Sequence, residues 1–365
     1  MIDEQLLKNE ERAILSLRSL YGKYGYFPFK MSKFEEYELY VKNKEFLVSD
    51  RAITFNDTDG RLLALKPDVT LSIIKSAEDA PGEKQKVYYN ENVYRVSEST
   101  HRYKEIMQAG LECIGDIDLY DIYEVVSLAA QSLAAISDEF VLEISNLGLL
   151  SRILESACEN ETFCEKAIEF IKAKNEHDFL RLCEEFEIAP EKAKALTVFI
   201  SSYGERNSVI RSLEKVCGEK ELLPLKELSS LLDSSPFSER IVFDFSVVNN
   251  MNYYNGFVFR GFVSGVSEGL LAGGQYDKMM KKMGKRSGAI GFAIYLDILE
   301  QLKSERTDFD VDVLLIYNSE VKSEDVSKKV SELISCGFTV SAQKTVSKKL
   351  RAKRTIDLRK EKTDA

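Results

Sequence analysis

The chain is poor in the residues that most enzyme chemistries need. Its 365 residues hold two histidines, His101 and His177, and neither lies near a serine or cysteine in a nucleophile motif. Triad hydrolysis and histidine-ligated metals are therefore poor candidates. Cys113, Cys158, Cys164, Cys183, Cys217 and Cys336 are scattered, with no CxxC pair and no Cys/His cluster. That spacing argues against disulfides and zinc and fits a reducing cytoplasm. No apolar run approaches the roughly 20 residues that span a bilayer, and the acidic amphipathic start Met1–Arg12 does not read as a signal peptide. A net charge of −10 argues against a general nucleic-acid binder. Positive charge gathers only at the end, where nine Lys/Arg face three Asp/Glu from Gln343 onward; a solvated or disordered tail is the plain reading. Neither internal repeats nor low-complexity tracts occur.

What is present has the length of two or three domains. Ala13, Ile14, Leu17, Leu20 and Tyr21 recur at helical spacing before Gly22 and Gly25. A strand is predicted from Gly25 to Phe34, a hairpin within Leu47–Leu65, and a helix over Val69–Ile74 with Asp68 near its start. Val87–Val96 and the strand through Gly115 form an antiparallel pair. Asp118 suits the N-cap of a helix that shows Ile122, Val125, Val126, Ala129 and Leu133 on one face. Strand signals vanish from 147 to 235, a helical insertion. They return at Ile241–Val248 and Phe257–Val263, followed by a helix around Asp277–Met283 and an apolar helix from Gly291 to Leu302. Beyond Asp310, Val311–Tyr317, Val321–Cys336 and Phe338–Ala342 read as one β-α-β unit.

The segment before Gly115 carries the first functional signal. Ile106, Gln108, Gly110, Glu112 and Ile114 alternate with Met107, Ala109, Leu111 and Cys113, so an amide and a carboxylate flank a glycine on one strand face. With open space above Gly110, that face makes the floor of a small-molecule pocket; a structural pairing of Glu112 with Arg102 or Lys104 is the alternative. Three further pieces accompany it: Leu65-Lys66-Pro67-Asp68-Val69-Thr70; Asn252-Tyr253-Tyr254-Asn255-Gly256-Phe257-Val258-Phe259; and Gly273-Gly274-Gln275-Tyr276-Asp277 with Gly288-Ala289-Ile290-Gly291-Phe292-Ala293. Each alone is a weak signal.

Together, in this order and with Arg95 ahead of the glutamate strand, they resemble the catalytic core of histidyl-tRNA synthetases, a class II aminoacyl-tRNA synthetase fold, over residues 1 to about 305. The resemblance implies an α+β architecture: an antiparallel sheet flanked by helices in 1–146 and 236–305, the helical insertion at 147–235, and a shortened α/β unit with a basic tail at 306–365. It departs where adenylation would need charge. Asn249 stands at the arginine before the tyrosine pair, with Asn250 beside it and Asn252 for an acidic residue. Tyr295-Leu296-Asp297-Ile298 replaces Gly-Leu-Glu-Arg, Ser97 an acidic residue, and Ser32 the first-motif proline. Fixed cations near a reacting phosphate each contribute several kcal/mol in a dry site, and asparagine or isoleucine supplies none.

That pattern is similar to a second family, the regulatory subunits of ATP phosphoribosyltransferase in the first step of histidine biosynthesis. The Pro-Asp-x-Thr form at 67–70, the tyrosine pair followed by Asn-Gly-Phe-Val-Phe and the Gly-Ala-Ile-Gly-Phe-Ala-Ile run all resemble it. The resemblance implies a non-catalytic cytoplasmic protein with no metal or cofactor. It would bind free histidine, dimerise through Tyr24–Glu35, and form a hetero-oligomer with a short catalytic subunit that needs it for activity and is inhibited allosterically by histidine. The implied histidine site has Glu112 on the imidazole N–H, with Tyr254 or Tyr276 at the other ring edge and Tyr253 nearby. Asp68, Thr70 and Gln108 receive the α-ammonium, Arg95 pairs with the carboxylate, and Gly273 and Gly274 let backbone approach the ligand. The alternatives are an active histidyl-tRNA synthetase or an RNA-binding synthetase paralogue.

Overall fold

The computed structural model describes residues 7–47, 52–80, 82–96, 101–248, 253–302, 309–346 and 349–359. The chain divides into two compact units, Met1–Leu302 and Lys303–Ala365.

The first unit begins with the helix Asn9–Lys23, which buries Ala13, Leu17 and Tyr21 at helical spacing. The predicted strand after it is much shorter than expected. β1 spans Phe27–Pro28 and pairs in parallel with Val87 and Tyr88; proline lacks the donor that would extend the ladder. β2 (Phe34–Glu36), β3 (Thr54–Asn56) and β4 (Leu62–Leu65) make a small antiparallel sheet, with the predicted hairpin as its centre. The helix Thr70–Ser76 follows, and Asp68 Oδ1 accepts from the Leu71 N–H at 2.9 Å. That bond satisfies one of the first-turn donors that a helix leaves open.

β5 (Gln85–Val96) and β6 (Tyr103–Gly115) form the predicted antiparallel pair, with Tyr89 opposite Gly110. The helix Leu119–Ala134 starts on a capping box, Asp118 and Asp121 each accepting from the other's backbone N–H. After β7 (Phe140–Asn146), seven helices lie between Leu147 and Leu232, a stretch described throughout. This stretch is not strand-free: β8, Tyr203–Gly204, pairs with β9, Ile241–Asp244. β9 also stops four residues earlier than the apolar pattern suggested. The helices share one continuous hydrophobic core with the sheet.

Arg206 pins this helical segment to the turn before β9. Its guanidinium donates to the carbonyls of Ser238 at 2.5 Å and Ile241 at 2.7 Å, to Asp233 at 2.6 Å and to the hydroxyls of Ser229 and Ser238. Losing the guanidinium takes a charged donor from both carbonyls, of which Ser238's keeps the Ile241 N–H, and a hydrogen bond to a charged group contributes ~1.5–3 kcal/mol. Arg206→Met is therefore expected to lower unfolding stability by about 2–4 kcal/mol, read from the urea midpoint.

β10 (Phe257–Val263), β11 (Leu271–Gln275) and β12 (Gly288–Tyr295) complete a nine-stranded sheet in the order β1-β5-β6-β12-β11-β10-β7-β9-β8. It is antiparallel through the middle, with the parallel pairs β1–β5 and β7–β9 toward its two margins. β12 corrects the sequence reading. Gly291–Leu302, expected as an apolar helix, is strand to Tyr295 and then a 3-10 turn over Leu296–Gln301. A strand buried on both faces reads as a continuous apolar run, which periodicity cannot tell from a buried helix.

In the second unit, β13 (Val311–Ile316) is flanked by β14 (Val340–Gln343) and β15 (Ala352–Asp357), both parallel to it, with the helix Ser323–Ser335. β15 lies inside the basic tail that was read as a solvated end. The adjacent charges Lys353 and Arg354 hide the strand, while Ile356 and the following Leu358 pack into the small core of this unit.

Candidate functional site

The middle strands place their smallest residues in two adjacent rows on one sheet face. Residues directly opposite one another in neighbouring strands share a face. One row runs Val258–Gly274–Gly291–Glu112–Val87 from β10 to β5; the next runs Arg260–Ala272–Ala293–Gly110–Tyr89. Gly and Ala at the centre leave a hollow, and the larger side chains stand around it. The result is a cavity of about 360 Å³.

Eight sequence-predicted site residues meet on its walls: Asp68, Thr70, Arg95, Gln108, Glu112, Tyr253, Tyr254 and Tyr276. Glu112 is the best fixed of them. The Thr70 hydroxyl donates to Oε1 at 2.8 Å and the Tyr276 hydroxyl to Oε2 at 2.6 Å. Neither Arg102 nor Lys104, the structural partners considered for it, supplies these contacts. Only 2% of Glu112 is exposed. Burial pushes its carboxyl up to about 8, outweighing the two hydroxyl donors that favour the charged form; the nearby Asp68 charge raises it further. Asp68 is raised by burial too, against the opposing pull of Arg95 and its backbone donors.

Arg95 is held at the Asp68 side of the cavity. Its Nε donates to the Pro67 carbonyl at 2.8 Å, and Nη2 lies 3.9 Å from Asp68 Oδ2. Lys66, fully buried, pairs with Glu91 at 2.5 Å and braces the same loop from behind. The three tyrosines pack on each other, Tyr253 to Tyr254 at 4.6 Å and Tyr253 to Tyr276 at 5.9 Å between ring centres. Burial raises their hydroxyls well above the ordinary range, so they remain neutral donors.

Three details differ from the sequence reading. Gly110 does not open the pocket: a Cβ there would stand 2.7 Å from Cζ of Tyr89, whose ring fills that space. The glycine beneath the carboxylate is Gly291, opposite Glu112 on β12, where a methyl group would fall on Glu112 Oε2. Gly273 and Gly274 are not on the cavity wall. A Cβ at Gly273 would meet Phe259 and Phe292, and one at Gly274 would lie 2.8 Å from the Tyr254 ring, so both admit neighbouring side chains instead of a ligand. Of the two tyrosines considered for the ring edge, Tyr276 is the one bonded to Glu112.

Sequence reasoning missed Tyr89, Tyr295, Arg260 and Lys172, which also line the cavity. Assigning Gly288–Tyr295 as a strand would have found Tyr295, opposite Gln108, and would have put Gly291 under Glu112. Lys172 comes from the helical segment, and no local signal marks it. The positions Asn249, Asn250, Asn252 and Ser97 lie outside the described residues. Among the described residues, no group of His, Cys, Asp or Glu has the arrangement of a metal site.

A family model described as histidyl-tRNA synthetase matches residues 2–299. The ATP phosphoribosyltransferase regulatory subunit of Caldanaerobacter subterraneus subsp. tengcongensis is 30% identical over 287 residues, covering 77% of this chain and 75% of that protein. The chain belongs to the histidyl-tRNA synthetase-like family of ATP phosphoribosyltransferase regulatory subunits. Solved structures carry the same fold. An ATP phosphoribosyltransferase regulatory subunit/histidyl-tRNA synthetase from Bacillus halodurans C superposes with a TM-score of 0.75 at 22% identity, covering 96% of this chain and 93% of that one. A chain of an ATP phosphoribosyl transferase complex from Thermotoga maritima gives a TM-score of 0.62 at 21% identity, covering 81% and 97%. Within this regulatory-subunit family the nine-stranded sheet is the class II synthetase-like sheet, and the cavity opens on it.

The raised Glu112 carboxyl has a consequence for stability. In the unfolded chain this group titrates near 4.5 and in the fold near 8, so between these values the native state holds the extra proton. Its contribution is complete below pH 4.5 and is lost as pH rises toward 8. Unliganded protein is expected to lose stability across that window by on the order of a few kcal/mol. Urea unfolding at stepped pH, beside Glu112→Gln, which lacks the titration, checks it.

Proposed function

We propose that this chain is a non-catalytic, histidine-binding regulatory subunit that joins a short catalytic ATP phosphoribosyltransferase subunit and is required for its activity. The observation that carries the reading is Glu112, seated over Gly291, held by Thr70 and Tyr276, and facing the same cavity as Asp68. Two sheltered carboxylates favour a ligand with more than one cationic or N–H group, as an imidazole and an α-ammonium provide. Gln108 and Thr70 add acceptors, Arg95 takes the carboxylate, and Tyr254 closes the ring edge. A cationic ligand restores the charge of Glu112, so binding below pH 8 is accompanied by release of its proton.

Loss of adenylation is supported on the nucleotide side. Ile298, aligned with an ATP-binding arginine of the synthetases, packs against the apolar core. Tyr295, aligned with the glycine of that motif, places a phenol on the cavity wall. The name of the Thermotoga maritima relative, a complex, supports the hetero-oligomer. Phe27 and Phe34, 72% and 49% exposed in the first-motif region, support self-association there.

Regulation then follows from linkage: histidine must bind one state of the complex more tightly, typically by about 1–3 kcal/mol. Two measurements on the purified chain test the reading. Calorimetry is expected to show histidine binding, and ATP–pyrophosphate exchange with histidine is expected to stay at background. Clear exchange would make the chain a working synthetase instead.

A further inference from the structure

We propose that the cavity carries a second subsite, built by Arg260 and Lys172 across the sheet floor from Glu112, that binds a compact phosphate-class oxyanion. It goes beyond the histidine reading and does not depend on it. Arg260 projects from β10 on the row Arg260–Ala272–Ala293–Gly110. Glu112 stands on β6, three strand spacings away, about 14 Å along the floor. A single amino acid clasped by Glu112 and Thr70 leaves the far end of that floor uncovered, and the alanines between keep it low.

The far end presents two cationic side chains that form no ion pair among the described residues. Gly269 seats the guanidinium: a Cβ there would stand 3.1 Å from Arg260 Nε and 3.3 Å from Nη2. The guanidinium carbon lies 5.4 Å from the Phe262 ring centre, a contact that leaves its charge in place. Lys172 reaches the same cavity from the helix Glu161–Lys172. The nearby Lys174 is already engaged by Asp244 at 3.1 Å, whereas among the described residues neither Arg260 nor Lys172 forms an ion pair.

Glu143 is the carboxylate opposite Arg260, on β7. It is half-buried, and burial together with the Asp244 charge raises its pKa against the opposing pull of Lys174 and Arg260. It forms no ion pair with the guanidinium, which stays available to the cavity. A planar guanidinium and a lysine ammonium lining one cavity match a multiply charged phosphate better than a single carboxylate.

The test uses the full chain with inorganic pyrophosphate and, separately, inorganic phosphate, followed by calorimetry at low salt. Wild type is expected to bind at least one of them, and the tighter identifies whether the subsite takes one or two phosphoryl groups. Arg260→Gln is expected to weaken that binding at least tenfold and Lys172→Gln severalfold. Arg260→Lys should recover part of the loss, and Glu112→Gln should leave it unchanged. Arg260 and Lys172 are exposed, so thermal melts of the variants should match wild type. Flat titrations with both anions, or an unchanged affinity in Arg260→Gln, would overturn the proposal. Histidine titrations of the same proteins report on the Glu112 end independently.

Discussion

Replacing Glu112 with glutamine is expected to weaken histidine binding by ~2 kcal/mol or more, about 30-fold, because one partner of a buried charge-assisted contact is removed. The substitution is close to isosteric. Thr70 and Tyr276 lie 2.8 and 2.6 Å from the carboxylate oxygens, and their hydroxyls can reorient to meet an amide as well as a carboxyl. The fold therefore survives, and the loss belongs to recognition. A neutral amide cannot become charged when a cation arrives, so the proton released on binding to wild type disappears as well. Calorimetry in two buffers of different ionisation enthalpy reads both effects at once. An unchanged affinity would remove Glu112 from the ligand.

Gly291→Ala is expected to damage the site and the sheet together. Its methyl group would fall on Glu112 Oε2, 2.6 Å from Cδ, and against the Leu111 carbonyl oxygen. Rotating Glu112 away relieves the first conflict and breaks its bonds to Thr70 and Tyr276. The second is with backbone and can be relieved only by moving β12 from β6. Overpacking of this kind costs about 1–3 kcal/mol. The variant should melt several degrees lower and bind histidine at least as poorly as Glu112→Gln. Gly284→Ala is a control for losing a glycine: no atom lies near its Cβ, although its φ of +77° adds backbone strain. It should leave histidine binding intact.

The legible part of this molecule was the part set by local pattern. Period-2 alternation fixed β6, the Asp118 cap fixed the start of its helix, and the Pro-Asp-x-Thr segment placed Asp68 and Thr70 at a helix start. Motif order then brought Glu112 and the tyrosines into one pocket. What stayed hidden depends on register. Gly110 and Gly291 are both glycines beside the glutamate, and only the pairing of β12 with β6 puts Gly291 beneath it and gives Gly110 to Tyr89. Gly273 and Gly274 looked like a ligand approach because the chain does not say which rings press on them. Arg260 and Lys172 are separated from the motifs by sequence and joined to them only by the sheet and the helices that cover it. β15 was missed because Lys353 and Arg354 mask a parallel edge strand.

The most direct test is reconstitution of phosphoribosyltransferase activity with a short catalytic subunit. The catalytic subunit alone should be nearly inactive, addition of this chain should restore turnover, and histidine should inhibit the mixture containing wild type but not the one containing Glu112→Gln. Turnover that is indifferent to this chain, or equal inhibition in both mixtures, would contradict the account.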